Sequence, residues 1–367
     1  MTDNAMPAVP IPLAGSERQR SSRANTVRFG ISRLGVTLFT ASLAMIFLLP
    51  LGYMILTSAK DSAQTTALNA PVWPASPQMY AAADGQTYTV YEVPMPDGSV
   101  QDLALEKPTR LLSTFIDPKT GQEVAWKGNW RSLSPAWSLN VKLDNFAQVL
   151  TILNFPLLLG NTLIVAILGT IGAVTSAVVV AFGFARFRIP GKNGLFLVMI
   201  MTIMLPFQVL LIPQYIGFKA IGWTGTWLPL IVPHFFANAY NVFLLRQYFL
   251  TLPRELDQAA QVDGASPLRI LWSVIVPQAW PAIIAVALFH FFFTWNDFFA
   301  PLVYLSGHPE LATMTVGLQA FSAVYSGSGS GFLTQAAALL ALIVPVAIFF
   351  LAQRVFMRGV VISGVEK

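Results

Sequence analysis

The stretch Leu252 to Pro281 reads LPRELDQAAQVDGASPLRILWSVIVPQAWP, a polar, helix-forming segment set between apolar runs. Pro253 suits the first position of a helix, Glu255 and Asp257 favour its positive N-terminal end, and Gly264 ends it in a left-handed cap. Leu256, Ala259 and Ala260 share one face at i, i+3, i+4 spacing, with Arg254, Gln258 and Gln261 elsewhere on the surface. Small side chains on that face admit a partner closely. Ser266 caps and Pro267 opens a second helix that runs to Pro277. The segment reads helix, glycine turn, helix, and is expected to be a docking loop rather than a connector.

The runs on either side must lie in lipid. Hydrophobic residues make up 55% of the 367 residues and charged residues 11%, and the mean hydropathy is +0.61. No ordinary soluble domain of this length presents that composition to water. Stretches long enough to cross about 30 Å of hydrocarbon, roughly 20 residues each, occur near Leu34–Thr57, Leu157–Phe184, Leu195–Phe218, Trp227–Phe249, Ala279–Leu305 and Thr334–Phe356. The expected fold is therefore an all-α integral membrane protein with six transmembrane helices. The absence of cysteine excludes disulfides and thiolate metal sites.

Charge placement orients this bundle. Arg18, Arg20, Arg23, Arg28 and Arg33 precede the first span, and Arg186, Arg188 and Lys192 follow the second. Arg246, Arg254 and Arg269 flank the loop after the fourth, and Arg354, Arg358 and Lys367 follow or close the sixth. With six spans all of these fall on one side, while the short loops opposite carry only Lys219, so the N and C termini are both expected to be cytoplasmic. The net charge of +5 reports topology and not nucleic-acid binding, which needs basic residues gathered on one soluble face.

The expected organisation is a disordered cytoplasmic tail over 1–32, a first transmembrane helix over 33–58, an extracytoplasmic insert over 59–155, a five-helix core over 156–357 containing the loop 251–280, and a cytoplasmic tail over 358–367. A cleaved signal peptide is the rival for the first apolar run, but its apolar region would be about 7–15 residues long, shorter than Leu34–Thr57. The insert, between spans 1 and 2, is expected to be β-rich. Thr87–Val93 is aromatic and β-branched, Pro96-Asp97-Gly98 is a turn, and Ser99–Leu105 returns as its partner. Arg110–Ile116, a turn over Asp117–Gly121 and Gln122–Trp126 suggest a second hairpin. Trp73, Trp126, Trp130 and Trp137 are residues of the kind that anchor interfaces, so the insert reads as a contact surface before a spacer.

Several chemistries are excluded or weakened. No G-x-x-x-x-G-K-[ST] phosphate loop occurs, so ATP hydrolysis by that machinery is not available to this chain, and no nucleophile elbow is present. His234, His290 and His308 lie far apart with no metal-type spacing, and read as hydrogen-bonded structural residues. The polar residues inside the spans mark the candidate translocation path: Gln208, Asn238, Tyr240, Asn241, Trp295, Asn296 and Asp297. Amides and aromatic faces suit sugar hydroxyls and ring C–H surfaces; the same groups also serve interhelical hydrogen bonding. Asp297 is read equally as a solute contact and as a structural tie. Gly169, Gly172, Ser176 and Gly183 are expected to allow close helix approach.

At the quoted loop the chain resembles a known family. Ala259-Ala260, three residues, Gly264, then an apolar stretch ending in Val276-Pro277 is similar to the signature loop of the membrane subunits of binding-protein-dependent ABC importers. The likeness extends through Asn161-Thr162-Leu163, Ala185 to Gly191, Trp295-Asn296-Asp297-Phe298, Pro301-Leu302 and Gln353 to Gly359, and is similar to the maltose-type carbohydrate branch. It implies a permease subunit that pairs with a second homologous permease and two ATPase subunits, receives a carbohydrate from an extracytoplasmic binding protein, and works by alternating access. ATP and magnesium would sit on the ATPase subunits, with no cofactor or metal on this chain. The residues it assigns to ATPase coupling are Arg254, Glu255, Asp257, Gln258, Ala259, Ala260, Asp263, Gly264, Ala265 and Ser266. Gln258 departs from the family's glutamate before the paired alanines and loses a charge-assisted contact, for which neighbouring Asp257 is the expected substitute. A secondary transporter or channel working without ATPase subunits would lack this loop and would show inverted repeats, of which none is clear. A membrane receptor would need a soluble signalling domain, and the cytoplasmic segments are too short for one.

Overall fold

A computed structural model of the chain describes residues 16–67, 69–82, 85–327 and 329–361. The first 55 residues and the remainder, from Leu56 on, form two separate compact units. The first unit carries most of helix α1 (Ser16–Ser58), which contains Pro50 and includes a span-length apolar segment, Arg33–Ser58. Helix begins at Ser16, so the irregular tail expected over 1–32 is instead helical over its described part; residues 1–15 and the end of the expected C-terminal tail lie outside the described residues.

In the second unit, a short helix α2 (Ser62–Thr66) leads into strands β1 (Ala75–Pro77), β2 (Met79–Ala81), β3 (Thr87–Pro94), β4 (Val100–Lys107), β5 (Leu112–Ile116), β6 (Glu123–Lys127), β7 (Ser134–Pro135) and β8 (Trp137–Leu139). Strands β2 to β6 form an antiparallel meander in sequence order, β7 adds to β3, and β1 pairs with β8 to close the base. The β3–β4 turn is held by Met95 N–H donating to Ser99 O at 2.8 Å, with Gly98 at φ 84°. Val93, Leu103 and Phe115 are buried on one side of the sheet, and Trp126 and Trp130 pack against them. Trp126 also donates Nε1–H to Pro94 O at 3.0 Å. Three of the four tryptophans expected to anchor an interface are therefore at least partly buried within the insert, and Trp73 alone of them is exposed.

The rest is helical: α3 (Asp144–Ile152), α4 (Phe155–Arg186), α5 (Lys192–Met201), α6 (Phe207–Ala220), α7 (Leu228–Ile231), α8 (Ala239–Thr251), α9 (Glu255–Val262), α10 (Pro267–Ile270), α11 (Val276–Gln278), α12 (Trp280–Trp295), α13 (Phe299–Tyr304), α14 (Met314–Tyr325) and α15 (Gly331–Val361). Val149 of α3 is buried with Leu158, Met314 and Ala336 of the helical core, so the stretch expected as insert up to residue 155 joins the bundle from Asp144 on. Among the described residues four helical stretches are long and apolar enough to cross a membrane, and two bent pairs bring the number to six if each is one span. The third and fifth apolar runs are thus not single helices. The third bends by 95° between Met204 and Phe207, where Leu205 is extended, as a residue before proline prefers. The fifth bends by 83° at Ala279, beside Pro277 and Pro281, and ends at Trp295 before α13 begins.

One apolar core fixes the quoted loop. Ala177, Ala181 and Ala185 on α4 lie at i, i+4, i+8 and are fully buried, with Val242, Leu245 and Phe249 of α8 and Ile270, Leu271, Ile275 and Ala279 of the loop. Small residues on α4 let the neighbouring backbones approach, the packing mode that serves where lipid removes the hydrophobic drive between helices. Gly169 and Gly172 do the same at the other end: a Cβ on Gly172 would stand 2.5 Å from the Phe235 ring, and one on Gly169 3.0 Å from His234. Gly183 faces open space and makes no such approach. At the end of α4, Arg186 Nε lies 2.8 Å from Asp257 Oδ2, both side chains nearly buried. The Nε–H is not aimed along a hydrogen bond; Arg186 Nη2 donates instead to Leu252 O at 3.1 Å. Burial pushes the Asp257 carboxyl above its ordinary value by more than Arg186 and Arg254 pull it down.

In detergent, Gly172→Ala should cost about 1–3 kcal/mol of stability through overpacking, while Gly183→Ala should gain up to about 1 kcal/mol from helix propensity; thermal unfolding of the pair reads the difference. Arg186→Met, which strips the buried carboxyl of its nearest counter-charge, should cost about 3–5 kcal/mol, and adding Asp257→Leu should recover most of it. With the folded-state pKa of Asp257 raised, its contribution to stability is full below the unfolded value and falls as pH rises through the folded one. Wild type should therefore lose more stability than Asp257→Asn between about pH 4 and neutrality.

Candidate functional site

Two regions bring the sequence-predicted residues together. The first is the loop. Helix α9 starts at Glu255 with Arg254 as its N-cap, so Pro253 precedes the helix and does not occupy its first position. It ends as the glycine demands: Gly264 at φ 76°, Ala265 N–H donating to Ala260 O at 2.9 Å and Gly264 N–H to Gln261 O at 3.0 Å, the paired bonds of a Schellman turn. Ser266 then caps α10 through Arg269 N–H, and a π-turn over Leu271–Ile275 joins it to α11.

The two faces of α9 divide differently from the expectation. Ala260 and Ala265 are partly buried against the α4–α8 core, and Asp257 is buried beside Arg186. The free face carries Glu255, Gln258, Ala259 and Val262, whose side chain is 89% exposed, with Leu268 exposed just beyond the turn. Asp257 is therefore not placed to replace the missing charge at Gln258; it is turned inward, at i−1 from it. Asp263, the C-cap residue, is exposed.

The second region is a cavity of about 450 Å³ where the bend between α5 and α6 faces α8 and α12. Asn238, Tyr240 and Asn241 line it together, with Phe289, His290 and Phe293 opposite. The α8 N-terminus creates this cluster: Asn238 caps the helix, its Oδ1 accepting from Tyr240 N–H at 2.9 Å and Asn241 N–H at 3.2 Å. That leaves the Asn238 amide N–H groups for a ligand. The other path residues are elsewhere. Gln208 is exposed and is not among the lining residues. Trp295 is buried on Phe291, and Asn296 donates to Phe292 O at 2.8 Å. Asp297 Oδ1 accepts from Ala300 N–H at 3.3 Å at the start of α13, and its carbonyl accepts from Thr315 Oγ1 at 2.6 Å, which is the structural-tie reading of that residue.

The histidines are hydrogen-bonded, as read from the sequence, but spacing did not show that two of them meet. His290 Nδ1 lies 3.0 Å from Asn241 Nδ2, and His290 Nε2 lies 3.1 Å from His234 Nδ1. His308 pairs with Glu310 at 3.0 Å on an exposed loop. No group of three or more His, Cys, Asp or Glu that could hold a metal ion occurs among the described residues.

Comparison with known proteins agrees with this architecture. Residues 173–362 match the family described as binding-protein-dependent transport system inner membrane component. The osmoprotective compounds uptake permease protein GgtD of Synechocystis sp. is 35% identical over 228 residues, covering 61% of this chain and 75% of that protein. The sn-glycerol-3-phosphate transport system permease protein UgpE of Yersinia enterocolitica is 32% identical over 243 residues, covering 64% and 80%. Among solved structures, a chain of a bacterial ABC transporter involved in the import of the acidic polysaccharide alginate superposes with a TM-score of 0.57 at 19% identity, covering 94% of this chain and 99% of that one. With more than half of its length matched to that family and relatives at 30% identity or more aligned over most of their length, the chain belongs to the inner-membrane components of binding-protein-dependent transport systems, the multi-pass permease subunits of ABC importers.

Proposed function

We propose that this permease forms half of the translocation path for a carbohydrate, paired with a second homologous permease and driven by two ATPase subunits that bind ATP and magnesium. An extracytoplasmic binding protein delivers the solute. The observation that carries the coupling role is the division of α9: its outer face, Ala259 and Val262 flanked by Glu255 and Gln258, is free, while its inner side sits in the same buried core as α4 and α8. A push on the outer face reaches the two spans through packed side chains and the Arg186–Asp257 pair. The basic residues around the loop support a cytoplasmic side for it and for both termini. The insert then lies outside, where the binding protein arrives.

The cavity supports a neutral carbohydrate. Its lining combines amide groups with the rings of Tyr240, Phe289 and Phe293 and contains no lysine or arginine. A phosphate ester such as the solute named for the Yersinia relative would call for a cation or a cluster of N–H donors. Neither the docking loop nor the cavity requires a chemical step on this chain.

For coupling, Val262→Asp or Ala259→Trp on the exposed face should abolish ATP-driven uptake in proteoliposomes while membrane insertion is unchanged, and Gly264→Pro should do the same because proline cannot adopt φ 76°. Retention of the ATPase subunits at wild-type yield together with normal uptake would refute the docking assignment. For the insert, deleting residues 75–139 should leave basal ATP hydrolysis of the complex intact and remove its stimulation by the loaded binding protein; undiminished stimulation would make the insert a spacer.

A further inference from the structure

A buried polar line backs the wall of the cavity. Asn241 and His290 are almost fully buried, at 2% and 4% exposure. His234 lies behind them, does not line the cavity, and meets His290 edge to face at 4.7 Å between ring centres. It is held by the glycine approach at Gly169 and by Ser176 Oγ, which donates to the His234 carbonyl at 3.3 Å. Asn241, His290 and His234 thus form an unbroken line of side-chain hydrogen bonds running from the cavity wall into the packing of α4.

Such a line has a direction. A neutral imidazole offers one donor and one acceptor. If the Asn241 amide donates to His290 Nδ1, His290 carries its proton on Nε2 and donates it to His234 Nδ1. The Asn241 carbonyl then turns to the cavity, and it accepts no hydrogen bond from any described residue. Reversing both tautomers requires the amide to flip and present N–H instead. The tautomer of His234, a residue outside the cavity, is therefore tied to the atom that Asn241 shows to a solute.

We propose that His234 and His290 are positioning residues for solute recognition: they lock the Asn241 amide with its carbonyl toward the cavity, opposite the free N–H groups of Asn238. One acceptor and one donor set across a space flanked by Phe289 and Phe293 match a sugar ring, whose hydroxyls both donate and accept and whose C–H face stacks on aromatic rings. This rests on the carbohydrate reading of the cavity and adds a determinant of which hydroxyl arrangement is taken. A merely structural network would stabilise the bundle without touching preference.

The test uses the full complex in proteoliposomes with one binding protein throughout, so that any change in profile comes from the permease. The probes are a panel of neutral mono- and disaccharides, their single-deoxy analogues, and sn-glycerol 3-phosphate. Loss of one neutral hydrogen bond at the solute corresponds to about a three- to tenfold change. Asn241→Leu and His234→Leu should each raise the half-saturating sugar concentration by about that factor and erase discrimination against the same deoxy analogue, with the complex assembled at wild-type yield. His290→Gln, whose amide can accept from Asn241 and donate to His234, should keep the discrimination that His290→Leu loses. The double variant His234→Leu/Asn241→Leu should be no worse than Asn241→Leu alone. If Asn241→Leu shifts the profile and His234→Leu lowers only the yield, the positioning role is overturned and the carbohydrate reading stands. If the complex takes up glycerol phosphate and none of the sugars, both fall.

Discussion

The structure depends on one packing arrangement: the C-terminal half of α4, α8 and the segment Ile270–Ile283 share a single apolar core. In lipid the hydrophobic effect does not hold helices together, so close van der Waals packing must. The alanines of α4 at 177, 181 and 185 supply it, giving Leu245, Phe249 and Leu271 room to bury completely. A loop fastened in this way moves with the spans. The cation–π contact of Arg246 over Phe196, at 4.1 Å, fastens α5 to α8 on the same side.

The buried charge pair at that junction illustrates how geometry and energy separate. Arg186 and Asp257 touch, yet taking both out of water costs about as much as their attraction returns, which is why burial still pushes the Asp257 carboxyl upward. The pair's value lies in register. It ties the end of a 32-residue helix to the first turn of α9, and it turns Asp257 inward, away from the exposed face that carries Gln258.

The breaks in the helices make the cavity. A helix that starts within the membrane needs a cap, because its first N–H groups have no water to satisfy them; Asn238 provides it. Bending at Pro206 removes α5 and α6 from a straight path and turns Leu205 and Phe207 toward that cap. Polar residues at this depth are tolerated where they line a cavity or satisfy one another: Asn241 and His290 do both, and His234 satisfies His290 from behind the wall.

By itself the sequence determined what local rules govern. Apolar runs of span length, the basic residues beside them, the glycine that must be left-handed at 264, the Ser266 cap and the β-branched run with its Pro-Asp-Gly turn each act within a few residues of chain, so each was legible in the order of amino acids. The family likeness rested on short local motifs of the same kind, the loop first among them. Only the tertiary structure decided which face of α9 is free, that Asp257 points inward, that Trp126 and Trp130 serve the insert's own core, and that Asp297 holds Ala300 N–H and Thr315. It also decided that two histidines 56 residues apart meet. The physical reason is that hydrogen bonds and burial between distant segments depend on how α4, α8 and α12 pack, and the 3.6-residue period of each helix fixes which residues share a face but not which neighbour that face will meet.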